Sequence, residues 1–188
     1  IDLAVHSMKD VPTALPKGLV AAAVLKRANP LDILVHKGLD FLEADGIVAT
    51  GSLRRRAQWL ARYPKHRTEN LRGNDNTRLK KLEESTWNGA IFAAAGLERL
   101  NLVPQTFISL PWMIPAPAQG AMVVVVREDD TDILAIVQSL NDSETERCVT
   151  AERAFLRTLE GGCTAPIGAF ARIKGETLTF KGGLFALD

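Results

Sequence analysis

The sequence predicts an α/β fold with mixed, largely parallel sheets. Short apolar, β-branched runs alternate with segments in which apolar residues recur at helical spacing, and this alternation is typical of strands joined by helices. Near the C-terminus the alternation gives way to one long helical segment and two strand-like runs, which indicates the start of a small α+β domain. With 46% hydrophobic residues in a chain of 188, enough apolar surface is present for a buried core.

Seven apolar runs are the candidate strands of the α/β part. They are residues 2–5, 19–25, 33–35, 47–49, 68–71, 90–94 and 122–127. A proline-rich stretch at residues 104–117 interrupts the alternation, and we interpret it as an extended crossing between domains, because proline restricts both itself and the preceding residue to extended backbone.

Helical spacing recurs between these runs. It is seen in Leu53, Ala57, Leu60 and Ala61, more loosely in Leu79, Leu82 and Trp87, and again in Ile133, Leu134, Val137 and Leu140.

The C-terminal part has its own signals. Ser143 followed by Glu146 forms a capping box, which predicts a helix from Ser143 to about Leu159 that ends at Gly161. Residues 167–173 and 177–180 alternate and are separated by Lys174-Gly175, which predicts an antiparallel hairpin.

Basic residues follow four of the predicted strands, in segments 6–12, 50–56, 71–78 and 93–99. Ligands of open parallel sheets bind at the carboxyl ends of strands, where the chain turns into the next helix. Three arginines after the predicted cap Ser52 are unfavourable at the positive end of a helix dipole, by about 0.3–1 kcal/mol per charge. A bound polyanion would reverse this effect, because helix N–H groups and arginine forks would then point at the same carboxylates.

The competing interpretation of Arg54-Arg55-Arg56 is a solvated face of a surface helix. For one such run the two interpretations carry equal weight. Several cationic strand-to-helix junctions in one chain favour an anion site, because sequences that break a local rule without structural gain usually do so for function.

Charge and composition argue against other partners. The chain has 23 basic and 22 acidic residues, a net charge of +1 and only 6% aromatic residues, so we expect neither nucleic-acid nor membrane binding. No apolar run reaches the length of a membrane span and no leader pattern is present, so we expect a soluble intracellular protein.

The two cysteines, Cys148 and Cys163, are expected to be reduced, and no His/Cys cluster suggests a metal.

Six motifs, in order along the whole chain, resemble the porphobilinogen deaminase family. The most specific is the heptapeptide His6-Ser7-Met8-Lys9-Asp10-Val11-Pro12. The others are Ser52-Leu53-Arg54-Arg55, Leu71-Arg72-Gly73-Asn74 with Thr77-Arg78-Leu79, Ala95-Gly96-Leu97-Glu98-Arg99-Leu100, Pro115-Ala116-Pro117-Ala118-Gln119-Gly120-Ala121, and Leu159-Glu160-Gly161-Gly162-Cys163-Thr164-Ala165-Pro166-Ile167-Gly168.

The resemblance implies three α/β domains, the first two similar to periplasmic binding proteins, with the active cleft between them. Residues 1–25 and 120–140 would belong to domain 1, residues 31–114 to domain 2, and residues 143–188 to the start of domain 3. The chain begins in strand-like sequence and stops in apolar sequence, so we expect an internal fragment. By the resemblance it lacks half of domain 1 and the packing partners of Cys163, so we expect it to be inactive by itself. Two positions depart from the family: Gly51 stands where a serine is common, and Asp75 where a small apolar residue is commoner.

The resemblance also implies the chemistry: a transferase that joins four porphobilinogen molecules into hydroxymethylbilane for haem and other tetrapyrroles, working as a cytoplasmic monomer. A dipyrromethane cofactor would be attached through Cys163, and Asp10 would be the catalytic residue. The residues expected to bind cofactor or substrate carboxylates are Ser7, Lys9, Thr50, Ser52, Arg54, Arg55, Arg72, Gly73, Asn74, Arg78, Ala93 and Arg99.

From the residues alone, alternatives stay open. Asp10 could equally be an N-cap before Val11-Pro12, and a lone cysteine such as Cys148 is usually a small buried hydrophobe. A cationic cleft in this fold also fits a carboxylate-binding receptor without catalysis. Cofactor on Cys163 is the feature that separates the enzyme from the receptor.

Overall fold

The computed structural model describes residues 1–159 and 165–186, in a chain that divides into two compact units. Unit 1 contains Ile1–Pro30 and Ile114–Gly183, and unit 2 is built on Leu31–Met113. Residues 143–183 are grouped with unit 1; that residues from Ser143 open a third domain stays a prediction.

Unit 1 is organised around a strand that is buried on both faces. Strand β8 (Met122–Arg127) lies between β1 (Leu3–Ser7) and β2 (Leu19–Val24) and is antiparallel to both. Its residues Val123–Val126 are all buried, and alternate valines pack into different apolar clusters. An unbroken β-branched run is the pattern expected for such a strand, because side chains alternate between the two faces.

Two helices and a hairpin complete unit 1. Helix α4 (Thr131–Gln138) packs against β2 and β8, and helix α5 (Ser143–Thr158) packs against β2 and β9. Strands β9 (Ile167–Lys174) and β10 (Thr177–Leu184) form a two-stranded sheet. The hairpin prediction is confirmed in kind, but its turn is Gly175-Glu176 rather than Lys174-Gly175, because Gly175 takes the positive φ of 60° that glycine adopts without strain.

One buried carboxylate ties the segments of unit 1 together. Glu152 on α5 has no exposed side-chain surface and accepts two hydrogen bonds from Arg27, at 2.6 and 3.1 Å. It also accepts hydrogen bonds from the backbone N–H groups of Ala118 and Ala171, both at 2.7 Å. A buried charge is stable only when paired and hydrogen-bonded, so Glu152 fixes α5 against three other segments of the chain.

Unit 2 contains a five-stranded sheet in the order β5-β4-β6-β3-β7. The strands are β3 (Asp32–His36), β4 (Ile47–Ala49), β5 (Arg67–Glu69), β6 (Gly89–Ala93) and β7 (Phe107–Ser109), and the helices are α1 (Leu53–Arg62), α2 (Asp75–Glu84) and α3 (Ala94–Arg99). Strand β4 is parallel to β5 and β6, whereas β3 is antiparallel to β6 and β7. Apolar clusters cover both faces of this sheet.

The prediction of an α/β fold with mixed sheets is confirmed, but "largely parallel" is wrong. In the residues that the structure describes, parallel neighbours occur only on the two sides of β4. The reason is the path of the chain, which passes from unit 1 to unit 2 after Pro30 and returns after Met113. The first strand after each passage, β3 or β8, runs against its neighbours.

The proline-rich stretch also contains a strand that the sequence did not predict. Residues Phe107–Ser109 form β7 at the edge of the unit 2 sheet, and Pro104 and Pro111 lie on either side of it. Proline cannot donate a hydrogen bond to a neighbouring strand, but here the prolines lie at the two ends of a short edge strand and do not prevent it.

None of the helices in the described residues has the length and apolarity needed to cross a bilayer.

Helix α5 begins at Ser143, as predicted, but its N-cap lies one residue before the predicted cap. Its N-cap is Asp142, whose carboxylate accepts a hydrogen bond from the Thr145 N–H at 2.8 Å, so the Ser143 capping box is wrong by one position. The Asp142 N–H donates to the Val24 carbonyl at 2.8 Å, which fixes the start of the helix. Hydrogen bonds from Thr145, mainly from its side chain and then from its backbone, lower the pKa of Asp142.

We therefore expect Asp142→Ala to lower the free energy of unfolding by about 1 kcal/mol at neutral pH. Because the pKa of the folded state is the lower one, this contribution is complete above the unfolded-state value of about 3.9 and is lost as the pH falls through the folded-state value. Urea denaturation between pH 7 and pH 3 measures it. Ser143→Ala is the control and should change stability by less than about 0.5 kcal/mol; a larger loss in Ser143→Ala than in Asp142→Ala would contradict the observed cap.

Candidate functional site

Three strands of unit 2, β4, β5 and β6, end on the same side of the sheet. Because β4 runs parallel to β5 and β6, the carboxyl ends of these three strands point in the same direction. The loop after β4 contacts the end of β5 and the loop that follows it: the Thr50 N–H donates to Glu69 O at 2.8 Å, and a Cβ on Gly51 would lie 2.5 Å from Leu71 O. The predicted positions Thr50, Ser52, Arg72, Gly73, Asn74 and Ala93 lie in or beside these loops.

The first loop is shaped by hydroxyl groups. The buried Thr50 side chain accepts a hydrogen bond from the Ser52 N–H at 3.2 Å, and Ser52 caps α1 by accepting from the Arg55 N–H at 3.4 Å. Gly51 is required by the close approach to Leu71 O, since a side chain there would meet backbone. A serine at this position, as the family often has, would need a different loop conformation.

Arg54 and Arg55 are buried and bind an acidic residue of the protein itself. Arg54 Nη1 lies 2.7 Å from Asp32 Oδ2, and Arg55 Nη2 lies 2.8 Å from Asp32 Oδ1. Arg55 Nη1 also donates to Ile91 O at 3.0 Å. Asp32 has no exposed surface, and the two arginines are 3% and 7% exposed, so the solvated-face interpretation is wrong for both and holds only for Arg56, which is exposed.

The electrostatics of this cluster follow from burial. Desolvation lowers the pKa of Arg54, and the negative charge of Asp32 opposes that effect. Sequence reasoning missed Asp32, although a signal was present: the carboxylate begins the apolar run Asp32-Ile33-Leu34-Val35. An aspartate in a strand that is otherwise apolar needs a cationic partner to be buried.

The second loop presents the exposed cations. Arg72 is exposed, and its carbonyl accepts a hydrogen bond from Lys81 Nζ at 2.9 Å. Gly73 has a φ of 120° and lies against Thr77, while Asn74 caps α2 by accepting from the Thr77 N–H at 2.9 Å. This geometry turns the chain into α2. It places the first N–H groups of α2 and the Arg72 side chain beyond the carboxyl end of β5.

Arg78 lies one turn into α2 and is half-buried. Its Nη1 is 3.9 Å from Asp75 Oδ1, and its Nε is buried without a hydrogen-bond partner in the described structure. Asp75, the second departure from the family, lies against the start of α3, since a Cβ on Gly96 would be 3.1 Å from its Oδ2. The acidic side chain therefore faces Arg78 and partly neutralises it.

The end of β6, which passes directly into α3, contributes less. Ala93 ends β6 and is the N-cap of α3, without a side-chain hydrogen bond. Arg99 is exposed at the last residue of α3, which places it about 8 Å along the helix from the strand edge.

In unit 1, the predicted residues Ser7, Lys9 and Asp10 follow β1. Met8–Asp10 form one turn of 3₁₀ helix that is anchored by the buried Met8, whose N–H donates to Ala121 O at 3.0 Å. Asp10 is exposed at the last residue of this turn. It therefore does not act as an N-cap, and the structural alternative for Asp10 is wrong.

An arginine that sequence reasoning missed holds the Asp10 segment. Arg153 on α5 donates from Nη1 to Met8 O at 3.1 Å and to Val11 O at 2.9 Å, and from Nη2 to Pro12 O at 2.6 Å. Partial burial lowers the pKa of Arg153. Nothing in the local sequence distinguishes it from Arg147 and Arg157 on the same helix, so its partners were not predictable.

The structure describes only the first of the two cysteines, Cys148. Cys148 is a buried free thiol whose pKa is raised, first by burial and then by the charge of Glu152, as expected for a small buried hydrophobe. The predicted attachment residue, Cys163, lies outside the described residues. In residues 1–159 and 165–186, no group of three or more His, Cys, Asp or Glu is arranged to hold a metal ion.

Comparison with protein families decides the assignment. Residues 1–135 match the model described as porphobilinogen deaminase, dipyromethane cofactor binding domain. The chain belongs to this family. Residues 146–188 match the C-terminal domain of porphobilinogen deaminase.

Named relatives agree with the family. The porphobilinogen deaminase of Rubrobacter xylanophilus is 47% identical over 192 residues, which cover all of this chain and 63% of that protein. The Pelotomaculum thermopropionicum deaminase is 48% identical over 187 residues, which cover 97% and 60%. The chain thus spans about three fifths of the length of these relatives. Among solved structures, the periplasmic VFT2 domain of BvgS from Bordetella pertussis matches with a TM-score of 0.43 and 12% identity, covering 82% of this chain and 66% of that chain.

We expect Asp32→Asn to destabilise unit 2 strongly, because it leaves two buried guanidinium groups without a counter-charge. Breaking a buried ion pair in this way costs about 3–5 kcal/mol. Chemical denaturation followed by the fluorescence of the buried Trp59 measures it. Asp45→Asn, which removes an exposed carboxylate of the same unit, should change stability by less than about 0.5 kcal/mol; equal effects of the two substitutions would contradict the cluster.

Proposed function

We propose that this protein performs the reaction of hydroxymethylbilane synthase, the stepwise deaminating polymerisation of four porphobilinogen units. The observation that carries the proposal is the family match over residues 1–135, whose model is that of a cofactor-binding domain. Two features of the described residues support it: a strand edge of unit 2 rich in hydrogen-bond donors, and an exposed carboxylate on a firmly held turn in unit 1.

The donor set at the unit 2 edge fits a dipyrromethane that carries acetate and propionate groups. Arg72 is exposed, and Arg78 is half-buried with its Nη1 3.9 Å from Asp75 Oδ1, so both retain donors for carboxylates. The start of α2 adds backbone N–H groups. Each charge-assisted hydrogen bond contributes about 1.5–3 kcal/mol. When bound, the cofactor supplies the terminal pyrrole carbon to which the first substrate unit is joined.

Arg54 and Arg55 have a different part in this proposal. Their guanidinium groups bind Asp32. We propose that they act on ligand carboxylates indirectly, through the electrostatic field of the Asp32 cluster and by holding the first turn of α1 in position. Ser7, Lys9, Thr50, Ser52, Gly73, Asn74, Ala93 and Arg99 remain proposed binding positions.

Asp10 is proposed as the catalytic residue. The C–N bond of the porphobilinogen aminomethyl group breaks, nitrogen leaves with the electron pair as ammonia after protonation, and a cationic methylene-pyrrole remains. A carboxylate that accepts hydrogen bonds from pyrrole N–H stabilises this cation. The terminal pyrrole carbon then attacks the methylene carbon of this cation, and after the new C–C bond forms the carboxylate assists removal of the proton from the attacking ring carbon.

The proposal includes the domain plan and setting of the family. Residues 1–25 and 120–140 would belong to domain 1 and residues 31–114 to domain 2, each similar to a periplasmic binding protein. Residues from 143 would open domain 3, which is supported by the separate C-terminal match at 146–188. The family resemblance further supports a cytoplasmic monomer.

The first test is the intact mass of a deaminase of full family length that carries these 188 residues. We expect added mass equal to two pyrrole units, lost in Cys163→Ala and kept in the control Cys148→Ala. Acid treatment with an aldehyde reagent should colour only the proteins that carry this mass. An unmodified, inactive protein would support a carboxylate-binding receptor instead.

In the same full-length protein, Asp10→Asn should lower kcat by about 10²- to 10⁴-fold, the range for loss of a general acid–base group. Formation of hydroxymethylbilane from porphobilinogen is the measurement. Asp129→Asn removes an exposed carboxylate of unit 1 and should leave kcat unchanged. Turnover that survives Asp10→Asn would exclude the proposed role.

A further inference from the structure

We propose that Arg153 is the positioning residue of Asp10: it holds the turn that carries the carboxylate and thereby sets the catalytic rate. The kinetic test of this inference rests on the proposed function, whereas the geometry behind the inference does not. In that geometry, one guanidinium group binds three carbonyls that lie on both sides of Asp10.

The three accepting carbonyls belong to Met8, Val11 and Pro12, at 2.6 to 3.1 Å from Arg153. Met8 precedes Asp10 by two residues, and Val11 and Pro12 follow it directly. Pro12 has no N–H, so its carbonyl is its only backbone hydrogen-bonding group. A guanidinium group presents several donors in one rigid plane, whereas lysine concentrates its charge at one point. The planar fork of arginine therefore suits both flanks of the turn better than a single ammonium group does.

Arg153 is itself held by a rigid support. Its neighbour in sequence, Glu152, is fully buried and bound by Arg27 and by the N–H groups of Ala118 and Ala171. The backbone of α5 at this point is therefore fixed against the rest of unit 1. The position of the Asp10 turn follows from that of α5.

The turn would persist without Arg153, but less firmly. Met8 is buried in an apolar cluster of unit 1 with Val11 packed against it, and the bonds Met8 N–H to Ala121 O and Val11 N–H to Met8 O do not involve Arg153. Removing the guanidinium group leaves these contacts in place and frees the carbonyls of Val11 and Pro12. The expected consequence is a change in where the Asp10 carboxylate points, with the fold preserved.

The test uses a deaminase of full family length with its cofactor loaded. Arg153→Gln should lower kcat by about 10- to 100-fold, the loss that a displacement of about 1 Å causes at a catalytic group, with KM for porphobilinogen changed less than about threefold. Arg153→Lys keeps the charge and should recover only a minor part of kcat. Arg147→Gln and Arg157→Gln, exposed on the same helix, should keep full activity.

A double-mutant cycle separates positioning from general stability. If Arg153 acts through Asp10, then Arg153→Gln should lower kcat of the Asp10→Asn protein by less than about twofold. Independent effects that multiply in the double variant would overturn the proposal. So would an Arg153→Gln protein whose melting temperature falls while its kcat stays that of the wild type.

Failure of the proposed function has a different signature. A loaded wild-type protein without turnover would refute the function and leave Arg153 testable by hydrogen exchange. In that case, exchange of the backbone amides in residues 8–13 should be faster in Arg153→Gln than in Arg157→Gln. Equal exchange rates would refute the positioning role.

Discussion

The buried carboxylate of Asp32 is the interaction on which unit 2 depends. It lies at the first residue of β3 without any exposed surface and is bound by two arginines from the first turn of α1. A carboxylate in such a place is stable only as part of a hydrogen-bonded pair, because desolvation of an isolated charge is far too costly. Arg55 extends the cluster to the Ile91 carbonyl of β6, so the first turn of α1 is locked to two neighbouring strands.

The same principle organises unit 1. Glu152 is as deeply buried as Asp32 and is satisfied by Arg27 and two backbone N–H groups. In both units an acid inside the protein fixes the elements that lie beside the proposed functional residues. For the acid-rich ligand proposed above, this arrangement would have a physical advantage. The paired cations would stay in place whether or not the ligand is bound, and the exposed Arg72 and the half-buried Arg78 would be left to meet its carboxylates.

Much of the secondary structure could be read from the sequence, because local signals and tertiary packing agree. The predicted runs 47–49 and 122–127 coincide with β4 and β8. The other predicted strands differ at their ends by at most two residues, except that β10 continues to Leu184, four residues beyond the predicted run 177–180. Where prediction failed, a partner distant in sequence was responsible. Strand β7 exists because β3 offers it an edge, and Asp142 rather than Ser143 caps α5, at a position where the Val24 carbonyl binds the Asp142 N–H.

The sequence by itself determined the family, the α/β class and the cationic segments after the strands, because motifs, periodicity and residue charge are properties of neighbouring residues. Only the tertiary structure decided strand direction, the burial of Arg54 and Arg55 on Asp32, and the three bonds from Arg153 to the Asp10 turn. Arg153 is 143 residues from Asp10 along the chain. Such contacts depend on how elements pack, and the local pattern around an arginine is the same whether its guanidinium group meets solvent, a carbonyl or a buried carboxylate.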